Sequence, residues 1–182
     1  MSLLKQIIRR IAYVLLFLVR RAQRRKYGSN AESDVPRIDL PNEAYLPIIC
    51  RYVAAGESAV FIAKGYSMRP FLEHLRDKVQ ISPWTDLQVG DAVLAELSKG
   101  HFVLHRIIAR NGNQLTLRGD GNLHQTESCT TDDVRGIVTK YIRPGDHVLL
   151  ADDPQLKRKI QRWGRLPAWA RRLFLFIYKQ TL

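Results

Sequence analysis

Apolar and polar positions recur with two different periods along this chain. Near the N-terminus Leu3, Leu4, Ile7, Ile8, Ile11, Val14, Leu15 and Leu18 return at helical spacing, with Lys5, Arg9, Arg10 and Tyr13 on the other side. Residues 28–41 are a polar linker, from Gly28-Ser29-Asn30 to Pro36 and Pro41. A helix is predicted next, capped by Asn42, with Pro47 in its first turns and Gly56 at its end. Cys50, Tyr52 and Val53 have core spacing in it. Past Gly56 the period shifts toward alternation. Strands are predicted over 58–64, 78–81, 92–97, 102–108, 114–118 and about 134–142, with Phe71 to Leu75 as one helical turn. Asn111-Gly112-Asn113 between two of these runs is a hairpin signal, because Asn and Gly accept the positive φ that such turns demand. Short strands with Gly-rich turns predict a small, mostly β domain over 42–150. Residues 155–182 return to a helical pattern: Trp163, Leu166, Pro167, Trp169, Arg171-Arg172, then Leu173 to Tyr178 and Lys179. The expected architecture is therefore a β domain flanked by basic amphipathic helices at 1–27 and 155–182.

Charge changes the picture of the two ends. The 182 residues carry a net charge of +12, which by itself suggests nucleic acid. Its distribution does not. Residues 1–27 hold eight Lys/Arg and no acid, and residues 155–182 hold another eight and no acid. The middle, 28–154, has 13 basic and 17 acidic residues, a net of −4. A nucleic-acid-binding domain carries its positive charge on the folded body, and this body is acidic. Two cysteines, Cys50 and Cys129, make no disulfide framework. They lack the spacing and neighbouring His of a zinc site, so no metal is expected.

The N-terminal apolar run, Ile11 to Val19, lies between Arg9-Arg10 and Arg20-Arg21. Nine helical residues cover roughly 14 Å, about half a bilayer core. The run has the length of a secretory h-region, but no small-residue cleavage pattern follows it. Basic, Trp-bearing amphipathic helices suit the interface of an anionic membrane, where each Lys or Arg adds roughly 1 kcal/mol. The competing expectations are that each helix packs its apolar stripe on the domain, that the two pack on each other, or that the tails bind RNA.

Three segments carry candidate chemistry: Gly65-Tyr66-Ser67-Met68-Arg69-Pro70, Leu104-His105-Arg106-Ile107 and Arg118-Gly119-Asp120-Gly121-Asn122. A serine hydroxyl becomes a nucleophile when a base takes its proton and a third group orients that base. With a three-residue Asn111-Gly112-Asn113 turn, Arg110 faces Gln114 and His105 faces Gly119. Asp120 then lies about one cross-strand spacing from His105, roughly 5–8 Å between Cβ atoms. Each residue also has an ordinary expectation: a turn serine, a packed histidine and an Asx-turn aspartate. Arg106 is expected on the opposite face as an ion-pairing or surface residue, Asp91 as a turn residue and Phe71 as core.

Taken in order, Gly65-Tyr66-Ser67-Met68-Arg69-Pro70, Gly90-Asp91, His105-Arg106-Ile107-Ile108 and Gly119-Asp120-Gly121-Asn122 resemble the type I signal peptidase superfamily, which includes the LexA-like self-cleaving repressors. The resemblance covers roughly residues 58–143. A His on the base strand, in place of Lys, is similar to the endoplasmic-reticulum, archaeal and sporulation-type branch. The resemblance implies a β-rich serine endopeptidase with Ser67 as nucleophile, His105 as general base and Asp120 as orienting acid, Glu127 being the substitute. It implies a peptide or preprotein substrate with small residues before the scissile bond, and no metal or organic cofactor. Gly65 stands where many relatives place a second Ser, so the oxyanion donors are expected to be backbone N–H groups, including that of Ser67. Relatives are anchored by a spanning helix. Here neither tail is long enough to span, which favours a domain held at the cytoplasmic face of the cell membrane and a leader or signal peptide as substrate. The alternative is a LexA-like regulatory module that cuts itself, with Ala55-Gly56 as the candidate bond, or one that binds without catalysis, including an inactive membrane scaffold.

Overall fold

A computed structural model describes residues 42–180. The expected helix over 1–27 and the linker over 28–41 lie outside the described residues. The described residues through Leu166 form one compact unit. It contains α1 (Asn42–Ala54), β1 (Ala59–Ile62), β2 (Lys78–Ser82), β3 (Ala92–Ser98), β4 (His101–Asn111), β5 (Gln114–Arg118), β6 (Glu127–Thr130), β7 (Val134–Arg143), β8 (His147–Leu150) and α2 (Pro154–Arg165). A third helix, α3 (Ala168–Lys179), belongs to the other unit. The domain is mostly β, as expected. One antiparallel eight-stranded sheet runs in the order β1-β2-β7-β3-β4-β5-β6, with β8 paired to β7.

The strand alternation sorts two cores. In β3, Ala92 and Leu94 point into a cluster with Val79, Ile81, Val138, Tyr141, Leu46 and Val53. Val93 and Ala95 point the other way, to Ile107, Leu115, Leu117, Cys129 and Val134. A central strand covered on both faces needs a continuous apolar run, and Ala-Val-Leu-Ala supplies it. Ile81, Leu94, Ile107, Leu115 and Leu117 are fully buried. Each contributes about 1.5–3 kcal/mol relative to exposure. The helix α1 sets Leu46 and Val53 against the first cluster, two turns apart on one stripe. Tyr52 falls off that stripe and is 59% exposed, against its expected core role.

Two strands were not visible in the pattern. Both β6 and β8 are four residues long, at the lower limit for a readable alternation, and lack the longer apolar flanks that mark β1. The segment Phe71 to Leu75 is not a helical turn. It forms successive tight turns in which the N–H groups of Phe71 and Leu72 donate to the Met68 carbonyl at 3.1 and 3.0 Å.

The C-terminal tail divides at Leu166-Pro167 into two helices. In α2, Asp153 caps the N-terminus by accepting the Leu156 N–H at 2.8 Å, and Pro154 starts the first turn. Leu156, Ile160 and Trp163 are buried at i, i+4 and i+7, while Lys157, Arg158, Lys159 and Arg162 are exposed. Leu156 and Ile160 join the first core cluster. For this half of the tail, the stripe expected at a membrane is buried in protein instead. Among the described residues, no helix is long and apolar enough to cross a membrane.

Both cysteines are free thiols, Cys129 buried and Cys50 half-buried. Burial pushes each thiol from an ordinary value of 9.0 up to about 11. The folded chain therefore keeps these protons after the unfolded chain has released them. Their contribution to stability is full below pH 9 and is lost as the pH climbs toward 11. The urea midpoint is expected to fall over that window, and to fall less in the Cys50→Ala, Cys129→Ala double variant compared with its own value at pH 8.

Candidate active site

The β4–β5 hairpin determines what can meet His105. Its loop is two residues, Gly112-Asn113, with Asn111 paired to Gln114, rather than the three expected. The register then shifts between Ile107 and Ala109, so that Ile107 pairs with Leu117 and Arg106 with Arg118. The bulge absorbs one residue and restores, at the site, the alignment that a three-residue turn would have given. Carried one step further, this register sets His105 opposite Gly119.

Alternation along the strands then separates the two candidate acids. Arg106, Arg118 and Asp120 share one face. His105, Ile107 and Leu117 share the other, and Leu117 pairs with Glu127 on β6. Asp120 therefore cannot orient His105, although it is close in register. His105 Nδ1 bonds Glu127 Oε2 at 2.8 Å, with both side chains largely buried. The acid at His105 is Glu127, not Asp120, and the reason is the two-residue period of the pleat.

Asp120 instead accepts two parallel bonds from Arg106, Nε to Oδ1 at 2.8 Å and Nη2 to Oδ2 at 2.6 Å. Both side chains are about 6% exposed. Arg106 also donates through Nη1 to the Gly90 carbonyl at 2.7 Å, and its guanidinium lies 5.8 Å from the Phe71 ring centre. Burial works against this charge. The Asp120 carboxylate and the Tyr141 hydroxyl outweigh it and push the guanidinium pKa upward. Burial also raises the Tyr141 hydroxyl, partly offset by Arg106. Arg106 is thus an ion-pairing residue on the face opposite His105, as expected, and it is fully inside the protein.

Ser67 is held against the Gly119–Gly121 turn. The Gly121 N–H donates to the Ser67 carbonyl at 2.7 Å. A Cβ on Gly119 would stand 2.5 Å from the Ser67 carbonyl oxygen and 2.9 Å from Ser67 Cβ. Only glycine permits that approach, which explains the residue type flanking Asp120. The same turn is braced from α2, where Trp163 Nε1 donates to the Asp120 carbonyl at 2.7 Å. Ser67 thus abuts the residue that lies across from His105. Among the described residues no hydrogen bond joins the Ser67 hydroxyl to His105. Bonds of this kind often close only when substrate is bound. Asp91 forms the expected turn, accepting the Gln88 N–H at 2.8 Å. Phe71 packs at the first core, edge-on to Trp163.

No group of His, Cys, Asp and Glu among the described residues is arranged to hold a metal ion. Protein-family models, curated proteins and solved structures give no match to this chain.

The Arg106–Asp120 pair makes a stability prediction. Arg106→Met leaves a carboxylate buried without its cation and should cost about 3–5 kcal/mol. Adding Asp120→Asn to Arg106→Met should recover part of that loss. Urea unfolding of the two variants checks both signs.

Proposed function

We propose that this protein is a serine endopeptidase acting at a membrane surface, with Ser67 as nucleophile, His105 as general base and Glu127 as the acid that orients the base. The observation that carries the reading is the 2.8 Å bond between His105 Nδ1 and Glu127 Oε2, on the sheet face where Ser67 meets Gly119. An ionised carboxylate only accepts hydrogen bonds, so Nδ1 carries a proton, and in the neutral ring Nε2 then keeps its lone pair. That lone pair is what a serine hydroxyl needs in order to be deprotonated. As Ser67 Oγ attacks a peptide carbonyl, its proton passes to Nε2. Glu127 stabilises the imidazolium, and the proton then returns to the leaving amine. Asp120 takes no part in this transfer, because Arg106 occupies both its oxygens.

The substrate we infer from the motif resemblance is an extended leader or signal peptide with small residues before the scissile bond. Self-cleavage at Ala55-Gly56 fits less well. That bond and Ser67 lie beyond opposite ends of β1, which spans roughly 13 Å, so the chain would have to double back to bring them together. The membrane part of the proposal rests on α3. Trp169 is 71% and Phe176 64% exposed, Leu173 is exposed on the same stripe, and residues 155–182 contain no acid. An apolar stripe with basic flanks is the pattern of an interfacial helix.

The kinetic test is a peptide library digested on anionic vesicles and read by mass spectrometry. Ser67→Ala and His105→Ala are expected to abolish cleavage after small residues. Glu127→Gln should lower kcat by about 10²–10⁴-fold with the fold intact. Asp120→Asn should act through stability instead. Wild-type activity should fall on acidification, as the base becomes protonated. An activity that required alkaline pH would point to a lysine base and overturn the assignment.

A separate measurement addresses the membrane. Co-sedimentation with anionic vesicles should weaken as salt rises, and more strongly still in the Trp169→Ala, Phe176→Ala double variant. Equal binding to neutral and anionic vesicles at every salt concentration would contradict an electrostatic contribution.

A further inference from the structure

The turn that carries Ser67 has an anchor that the peptidase reading does not use. Gly65, two residues before the nucleophile, has φ +106. Its N–H donates to His74 Nδ1 at 2.8 Å, across the loop that joins β1 to β2. The His74 ring also lies against the Tyr66 ring, with centres 4.6 Å apart. The Arg69 guanidinium covers Tyr66 at 4.2 Å and pairs with Glu73, Nε to Oε2 at 2.9 Å. The His74 N–H donates to Glu73 Oε1 at 3.0 Å. Residues 65, 66, 69, 73 and 74 therefore form one clasp around Ser67. His74 is its one imidazole and Arg69 and Glu73 are its charged groups; Asp77, which accepts the Glu73 N–H at 2.9 Å and pairs with Arg76, and Lys64, next to Gly65 in the chain, adjoin it.

The chemistry of the clasp depends on protonation. A backbone N–H only donates, so His74 Nδ1 must offer a lone pair, and the ring proton sits on Nε2. A second proton on the ring would turn Nδ1 into a donor facing a donor. The bond to Gly65 would then be lost, and with it the contact that fixes this freely rotating glycine. We propose that neutral His74 is a positioning residue for Ser67, and that its protonation releases the Gly65 turn. The inference rests on Ser67 being the nucleophile. It assigns to His74 a part of the acid sensitivity of the site, separate from that of His105.

The test uses the full chain on anionic vesicles and compares wild type with His74→Ala and His74→Asn. Asn keeps an acceptor oxygen near the position of Nδ1 and cannot be protonated. Two readouts are taken. One is hydrogen-exchange protection of the Gly65 amide, corrected for the intrinsic pH dependence of exchange. The other is kcat/KM for peptide cleavage against pH. Wild type is expected to protect Gly65 at neutral pH and to lose that protection on acidification. His74→Asn should keep it throughout, and His74→Ala should lack it at every pH. His74→Ala should also lower kcat/KM by roughly ten- to a hundredfold, the scale of a misplaced reacting group. His74→Asn should restore most of that and show a shallower fall on the acid side. Equal Gly65 protection in wild type and His74→Ala would overturn the inference. So would an unchanged acid limb in an active His74→Asn. If protection follows the expected pattern but no protein cuts any peptide, the clasp stands and the peptidase reading is what fails.

Discussion

The site depends on a cation that the domain has taken out of water. Arg106 sits inside a β domain with both carboxylate oxygens of Asp120, the Gly90 carbonyl and the Phe71 ring around it. Desolvating a guanidinium is costly, and only a complete set of acceptors in fixed places makes it tolerable. Those acceptors come from different segments: the turn before β3, the turn after β5 and the loop after β1. The charge therefore constrains three segments at once. The Asp120 turn is held from a further side by Trp163 of α2 and carries Ser67 against Gly119 and Gly121. The Ser67 carbonyl is thus anchored to a turn whose own place is set by the Arg106–Asp120 ion pair.

Two acids compete for the description of this site, and they divide the labour. Glu127 holds the imidazole, and Asp120 holds the scaffold. Such a division is economical in a small domain. A carboxylate bound by two guanidinium nitrogens has little capacity left for an imidazole, whereas one bound only to the imidazole can respond as its charge changes. The pleat enforces the separation, since neighbouring residues on a strand face opposite sides.

Much of the fold was legible in the sequence. The alternation over 102–108 and 114–118 and the Asn-Gly turn located the central hairpin, and Gly119 and Gly121 stood out as a motif before their packing reason was visible. Register alone brings Asp120 beside His105, and only the face that each side chain takes separates them; the bulge at Ile108, which leaves no mark in residue type, does not alter that alignment. The strand bearing Glu127 is only four residues long, and its Glu-Ser-Cys-Thr sequence reads equally well as loop. The first half of the C-terminal tail was ambiguous for a physical reason. A basic helix with an apolar stripe has the same pattern whether protein or lipid covers the stripe, and tertiary contact alone decides it. His74 gave no signal, since a lone histidine in a loop has no spacing to read.

Glu127 lies on a short outermost strand whose far edge is unpaired within the sheet. Edge strands open more readily than central ones. A brief detachment of β6 would separate the carboxylate from the imidazole and lift Cys129 out of the second cluster, while the first cluster has no residue on that strand. The orientation of His105 is therefore less durable than the fold that supports it.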